Sequence, residues 1–517
     1  MDFVIKYFIE KDWTLPFFFL AIFMTILAIS SQSLWIDEGI TTWFAFQETF
    51  TDVISTIKNT DMAESLMPGY IIYMWAWVKT FGISEYSLRL SNLPFIITVL
   101  FLFTKLPVSR VFRNTLILLT CLSPFLWVYL NEVRSYIALF SFSAIGLSGL
   151  LFYFYGDSTL KKIGPYLTVF GLLIGSFFNI STGFTIAALI PTAIFMHRQT
   201  KNNQSNFLLD WKRPVLYAIP FFVVLGGFYL KVILAGSGGR LQASAGEPTL
   251  KNIAFCFYEF LGFSGIGPPR NILRANPSIE TFSPYWLWLG FAVLILTAAL
   301  VYAIILYRKS DREIRFLKDA YLWGFLCGFL TFCVFAFTFK FVFYGRHVIF
   351  LYPFFIFAVA FMVKEIWSKK NRLMLRYILI VSILFIFLVS GLRLRFDPAY
   401  FKDDYRSAAS TALSLANNDE PIFWAADLST GAYYGLEYDN TDFNRPLKIK
   451  PIRKVYAAAN WSIEEIKEHI RSFESVILVL SKKDTFDEKN GWSNFIAGYN
   501  AVETASYNAF KIYKFKL

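Results

Sequence analysis

Charge is scarce in this 517-residue chain. Only 17% of it is Asp, Glu, Lys or Arg, against about 25% in an ordinary soluble domain. With 56% of residues hydrophobic, that deficit excludes a water-soluble globule. Cysteine is rarer still: Cys121, Cys256, Cys327 and Cys333. Three lie in apolar runs and one in a long loop, which excludes a disulfide framework and a zinc spacing. The three histidines are His197, His347 and His469, too few and too scattered for a histidine metal site. A divalent cation, if used, would need carboxylate ligands; no other cofactor is called for. No glycine-rich phosphate loop is present, which argues against a nucleotide-burning enzyme or transporter within the chain. No internal repeat is visible.

What the chain has in quantity is apolar and aromatic. Phe occurs 59 times, aromatics make up 20%, and the mean hydropathy is +0.49. The formal net charge is +12. In a membrane protein such an excess reflects Lys and Arg held in cytoplasmic loops. The charge comes in short runs between apolar spans, so no nucleic-acid partner is expected.

Windows of about 19 residues place spans near 14–33, 86–104, 114–130, 135–155, 165–178, 183–196, 214–233, 284–307, 320–339, 347–363 and 376–393. The two at 165–178 and 183–196 are short enough for a tight helical hairpin. The first run is longer than a signal-peptide core and lacks a small-residue cleavage site, so it reads as retained. Residues 69–81 are apolar but too short to span, and read as an interfacial helix. The sequence therefore predicts a mainly α, polytopic transmembrane bundle of about eleven spans over 1–395.

Basic residues recur in alternate connections. Lys6 and Lys11, Lys105 and Arg110, Lys161 and Lys162, Arg198 and Lys201, Arg308 to Lys318, and Lys364 to Arg376 share one side. The positive-inside rule makes that side cytoplasmic. The loops holding Asp37, Glu132 and residues 234–283 then face outward. Loop 234–283 is rich in Gly, Ser and Pro, a composition that predicts mobility. Beyond residue 394 the composition turns soluble. Residues 400–517 read as a small α/β extracytoplasmic domain: helices near 404–416 and 462–472, buried strands at 422–426 and 475–480, and an edge strand at Phe510–Lys516.

Chemistry concentrates at outward-facing ends of spans. Asp37 and Glu38 follow the first span. A carboxylate at the bilayer centre costs roughly 2.5–3.5 kcal/mol on insertion scales; at the edge it keeps its charge and can act as a general base on an acceptor hydroxyl. A like charge beside it raises the basicity of one member. The competing reading makes Asp37 the N-cap of a short helix over 39–47. In Asn131-Glu132-Val133-Arg134-Ser135-Tyr136, Arg134 has a donor fork suited to phosphate, and Glu132 orients it or binds sugar hydroxyls; the alternative is a solvated turn. Arg346, in Tyr344-Gly345-Arg346-His347, is a second phosphate contact or an interfacial anchor. Arg89 reaches the same cavity or snorkels. Lys231 and Lys340 at other outer edges share that ambiguity.

Three segments then meet a pattern. They are Trp35-Ile36-Asp37-Glu38, Pro68-Gly69-Tyr70 followed by Phe81-Gly82-Ile83-Ser84-Glu85-Tyr86-Ser87-Leu88-Arg89-Leu90, and Asn131 to Tyr136. In that order and spacing the chain resembles the GT-C membrane glycosyltransferases. More narrowly it resembles the bacterial branch of the dolichyl-phosphate-mannose protein mannosyltransferase and aminoarabinose transferase superfamily. The resemblance covers about residues 1–400. It implies an integral protein of the bacterial inner (plasma) membrane with its active site outside, a polyprenyl-phosphate sugar donor, and a lipid, glycan or protein acceptor. It implies Asp37 as catalytic base, with Glu38 beside it. Glu132, Arg134 and Tyr136 would sit in the donor cavity, joined by Arg346 and Arg89. The family often has a basic residue or His before paired prolines where this chain has Leu66-Met67-Pro68, so no donor-phosphate or metal contact is carried over from that loop. Competing functions are a lipid-linked sugar transporter or flippase, an oligosaccharide ligase using Arg270 and Arg274 of loop 234–283, and a sensor whose working part is 400–517.

Overall fold

The computed structural model describes residues 12–60, 63–199, 207–235, 246–274, 278–308, 312–368, 373–417, 420–441, 452–499 and 502–516. Side chains at 199, 207–208, 235, 271, 274, 307–308, 312–318, 368, 373 and 502–503 lie outside that description. So do Lys6, Lys11, Lys201 and the Gly-rich run 236–240. The chain forms two compact units. One comprises Met1–Ile29, Thr60–Tyr70 and Arg89–Tyr400; the other comprises Ser30–Asn59, Ile71–Leu88 and Phe401–Leu517. The second unit thus takes in most of the first loop as well as the C-terminal region.

The first unit is helical. Among the described residues, eight helices are long and apolar enough to cross a membrane: Glu85–Lys105, Tyr136–Tyr155, Ile180–Arg198, Leu209–Leu234, Ile279–Leu306, Asp319–Thr338, Gly345–Trp367 and Met374–Phe396. The chain is an integral membrane protein. The eleven expected spans differ from these at three places. Residues 114–130 form two helices, Arg110–Leu122 and Pro124–Leu130, bent by 52°. Pro124 cannot continue the first helix and is at home opening the second, while the Ser123 hydroxyl accepts from the Leu126 amide at 3.2 Å. The first run yields only the 15-residue helix Thr14–Ala28. The expected span 165–178 is the later part of Ser158–Phe178, whose first turns carry Lys161 and Lys162.

Tyr136–Tyr155 is the central helix, with 94% of its apolar window buried. It packs closely on Ser158–Phe178. A Cβ on Gly149 would lie 2.6 Å from the Gly164 carbonyl, and one on Gly164 would lie 2.6 Å from the Gly149 carbonyl. Small residues at such a crossing let helix backbones touch where no hydrophobic effect drives them together.

The expected mobility of loop 234–283 is not what residues 250–274 show. Leu250–Phe260 is a helix, and Cys256, Phe260, Phe263 and Ile266 are buried. Here the glycines serve close packing. A Cβ on Gly265 would collide with the Ser390 backbone, and Ser390 bonds the Gly265 amide at 3.0 Å and the Gly262 carbonyl at 2.5 Å.

In the second unit a six-stranded sheet comprises β1 (Ile422–Ala425), β2 (Leu436–Tyr438), β3 (Arg453–Ala457), β4 (Ser475–Ser481), β5 (Val502–Tyr507) and β6 (Phe510–Lys516), in the order β2-β3-β1-β4-β6-β5. β2, β3, β1 and β4 run parallel, and β6 is antiparallel to both β4 and β5. Alternation feeds two cores. Ile422 and Trp424 join Tyr405, Ile477 and Ile512 on one face; Phe423 and Ala425 join Ile466, Leu478 and Trp492 on the other. Helix Tyr405–Leu415 covers the first face. The strand expected at an edge, β6, lies inside the sheet between β4 and β5. Its alternating lysines misled. Lys514 reaches past the sheet to Glu420 at 2.8 Å and to the Leu415 carbonyl at 3.1 Å.

Candidate active site

In the first unit, asparagines fix the turn after Pro124–Leu130. The Asn131 amide donates to the carbonyls of Ala28, at 2.5 Å, and Trp127, at 3.0 Å. The Asn92 amide donates to the carbonyls of Leu130 and Glu132 at 3.2 and 3.0 Å. The turn is therefore neither solvated nor loose: Glu132, Arg134 and Tyr136 are all buried.

Two guanidinium groups sit among three buried carboxylates there. Arg134 pairs with Glu64 and lies 6.0 Å from the Tyr136 ring. Arg270 donates to Glu259 through Nε at 2.6 Å and to the Tyr129 hydroxyl at 2.5 Å. It also lies 3.5 Å from Glu132. The second Glu259 oxygen accepts from the Gly345 amide at 2.9 Å, which docks the Tyr344–His347 turn on the cluster. Burial works against the Arg270 charge, but Glu259, Tyr129 and Glu132 more than compensate and raise its pKa above the ordinary arginine range. Buried charges persist only when paired in this way.

The structure thus brings together Glu132, Arg134, Tyr136 and the Arg346 turn. Arg346 itself is half-buried, with Nε 3.3 Å from His347 Nε2 and its guanidinium 5.9 Å from the Tyr344 ring. Arg89 is fully buried, which a snorkelling side chain is not. Lys340 is exposed and pairs with Glu247 at 3.2 Å, and Lys231 is exposed. Sequence reasoning missed Glu64, Glu259 and Tyr129. Glu259 does stand out as an acid in an apolar stretch; Glu64, close to Lys58, Asp61 and Ser65, and Tyr129 carry no such signal.

Asp37 and Glu38 belong to the second unit. Their helix is Ile36–Ala45, with Trp35 as N-cap. It starts three residues earlier than the N-cap reading required, so Asp37 lies inside the first turn. There the unpaired amides favour an anion. Glu38 is fully buried. Its Oε2 accepts from the Trp35 amide at 3.3 Å and meets Lys402 Nζ at 3.2 Å. Asp37 is half-buried. Of the two carboxylates, Asp37 is the more accessible. Among the described residues no three His, Cys, Asp or Glu side chains group to hold a metal ion.

No protein-family model matches the sequence, and no curated protein matches it. Two crystal structures of ArnT from Cupriavidus metallidurans share the fold. The apo form has a TM-score of 0.51 at 11% identity, over 97% of each chain. The form bound to undecaprenyl phosphate has a TM-score of 0.50 at 11% identity, over 98% of each chain.

Proposed function

We propose that the protein is a membrane glycosyltransferase that moves a sugar from a polyprenyl-phosphate donor to a hydroxyl acceptor. The fold shared with ArnT over nearly the whole chain supports this. So does the undecaprenyl phosphate in one of those crystals, a lipid of the class that the sequence resemblance implies. The observation that carries the reading is the contrast within the first-loop pair. Glu38 is locked by an amide and a lysine, while Asp37 stays half-exposed in a first turn.

On this reading Asp37 takes the proton of the acceptor hydroxyl as that oxygen attacks the anomeric carbon. The bond from that carbon to the phosphate oxygen breaks, and polyprenyl phosphate leaves with the electron pair. Phosphate needs no general acid, and a single displacement inverts the centre. Cations in a shielded site stabilise the departing charge. Arg346 is the half-exposed guanidinium assigned to it; Arg89, fully buried, is given no contact with the donor. Arg134 and Glu132, fixed by Glu64 and Arg270, form the donor-binding framework with Tyr136. The working side is extracytoplasmic, in a bacterial inner membrane, with 1–395 as the transferase domain and 400–517 as its outer domain.

The test is transfer of label from radiolabelled polyprenyl-phosphate sugars, by purified protein, to a panel of lipid, glycan and protein acceptors. Label on an acceptor, with inverted configuration, is the expected result. Transfer only from diphosphate-linked donors would favour a ligase, and movement of donor across a sealed vesicle without transfer would favour a flippase. The ligase reading drew on Arg270 and Arg274; Arg270 is committed to Glu259, Glu132 and Tyr129, and the Arg274 side chain lies outside the described residues.

A further inference from the structure

The loop that carries Asp37 is mounted on the C-terminal region within the second unit. Tyr434 accepts from the Leu34 amide at 2.8 Å and bonds Ser33 at 3.1 Å. Arg406 donates to the Ser31 carbonyl at 2.6 Å, and its amide donates to Ser33 Oγ at 3.1 Å. Helix Ile36–Ala45 lies against helix Leu428–Tyr433, which follows the carboxyl end of β1. The next parallel strand, β4, ends at Ser481, immediately before Lys482. The base loop therefore occupies the carboxyl-end edge of the parallel strands, where open α/β sheets ordinarily hold ligands.

Two lysines from this edge converge on the loop. Lys402 Nζ lies 6.0 Å and Lys482 Nζ 5.9 Å from the Trp35 ring centre, the reach of a cation–π contact. Lys402 also holds the fully buried Glu38 at 3.2 Å, and Lys482 holds Asp403 at 2.6 Å. Trp35 and Glu38 flank Asp37 in sequence, and both are gripped by the residue next to Asp403. The grip fixes the first turn on either side of Asp37 and neutralises the like charge beside it.

We propose that Lys402 is a positioning residue for Asp37, and that the C-terminal α/β region serves as the mount that sets the base. Lys402 acts through Glu38 and Trp35, not on substrate. The proposal rests on the transferase reading above.

The experiment uses the full-length protein and compares Lys402→Met, Lys402→Arg and the exchanged pair Glu38→Lys with Lys402→Glu. Misplacing a reacting group by about 1 Å costs about 10²-fold. Lys402→Met is therefore expected to lose kcat on that order with the donor KM unchanged, when assayed well below its thermal midpoint, which falls because the buried Glu38 loses its partner. Lys402→Arg, which keeps the charge against Glu38 and the Trp35 ring, is expected to recover most of the loss, and the exchanged pair to recover part of it. A Lys402→Met enzyme with wild-type kcat overturns the proposal. So does a loss of kcat that disappears when the variant is assayed well below its own thermal midpoint, or one that Lys402→Arg does not relieve. If Asp37→Asn abolishes transfer while Lys402→Met does not, the inference fails and the transferase reading stands. Absence of transfer by the wild-type protein overturns both.

Discussion

Gly39 packs directly on Thr430: a Cβ placed on Gly39 would come within 2.8 Å of the Thr430 Cα and overlap its side chain. The contact joins the helix that opens with Asp37 and Glu38 to the helix capped by Asp427, whose carboxylate accepts from the Thr430 amide and hydroxyl at 2.7 Å. Neither backbone can retreat cheaply. Gly39→Ala is expected to cost about 1–3 kcal/mol, the usual range for overpacking, and to lower transfer by tilting the base-bearing turn. Gly226, which has open space around it, supplies the control. Gly226→Ala should melt at or above the wild-type temperature. Thermal melts of both variants decide the matter, and an unshifted Gly39→Ala midpoint would contradict the contact.

Arg270 is the hub of the buried cluster, so its removal strands Glu259 and Glu132. Arg270→Ala is expected to destabilise the protein by about 3–5 kcal/mol, the cost of breaking a buried pair from one side. Tyr129→Phe, which removes one hydroxyl partner, is expected to cost about 1 kcal/mol. Unfolding in detergent measures both, and equal small losses would count against a buried ion-pair hub.

The Glu420 carboxyl has the clearest acid dependence. Burial opposes its ionisation, but hydrogen bonds from Lys514 and the Asn417 amide win and lower its pKa to about 2. A depressed folded-state pKa contributes stability that is complete above the ordinary glutamate range, about 4.3, and is lost as pH falls toward 2. Tryptophan fluorescence during acid titration is expected to show Glu420→Gln flatter than wild type over that window. Parallel curves would remove Glu420 from the acid response.

Much of the fold was legible because membrane helices and buried strands write themselves in long or alternating apolar runs. The sheet strands at Ile422 and Ser475 and the helix at Tyr405 appear where periodicity puts them. Order within the sheet did not follow, since Lys511, Lys514 and Lys516 imitate the protective charges of an edge while β6 pairs on both sides. Loop 250–274 misled in the same way: Gly262, Gly265 and Gly267 look like flexibility and act as close contacts. At the candidate site, the charged members of the Asn131–Tyr136 motif were visible, but their partners were not. Glu64 stands 70 residues from Arg134, and Arg270, which Glu259 holds from only 11 residues away, stands 141 residues from Tyr129; single-sequence spacing carries no information about contacts that long-range topology creates.

The most direct measurement is transfer and donor binding by Asp37→Asn, an isosteric change that removes the base and little else. General-base catalysis contributes about 10²–10⁴-fold, so turnover should fall by that much while binding of polyprenyl-phosphate sugar stays at the wild-type level. Wild-type turnover in Asp37→Asn would contradict the account.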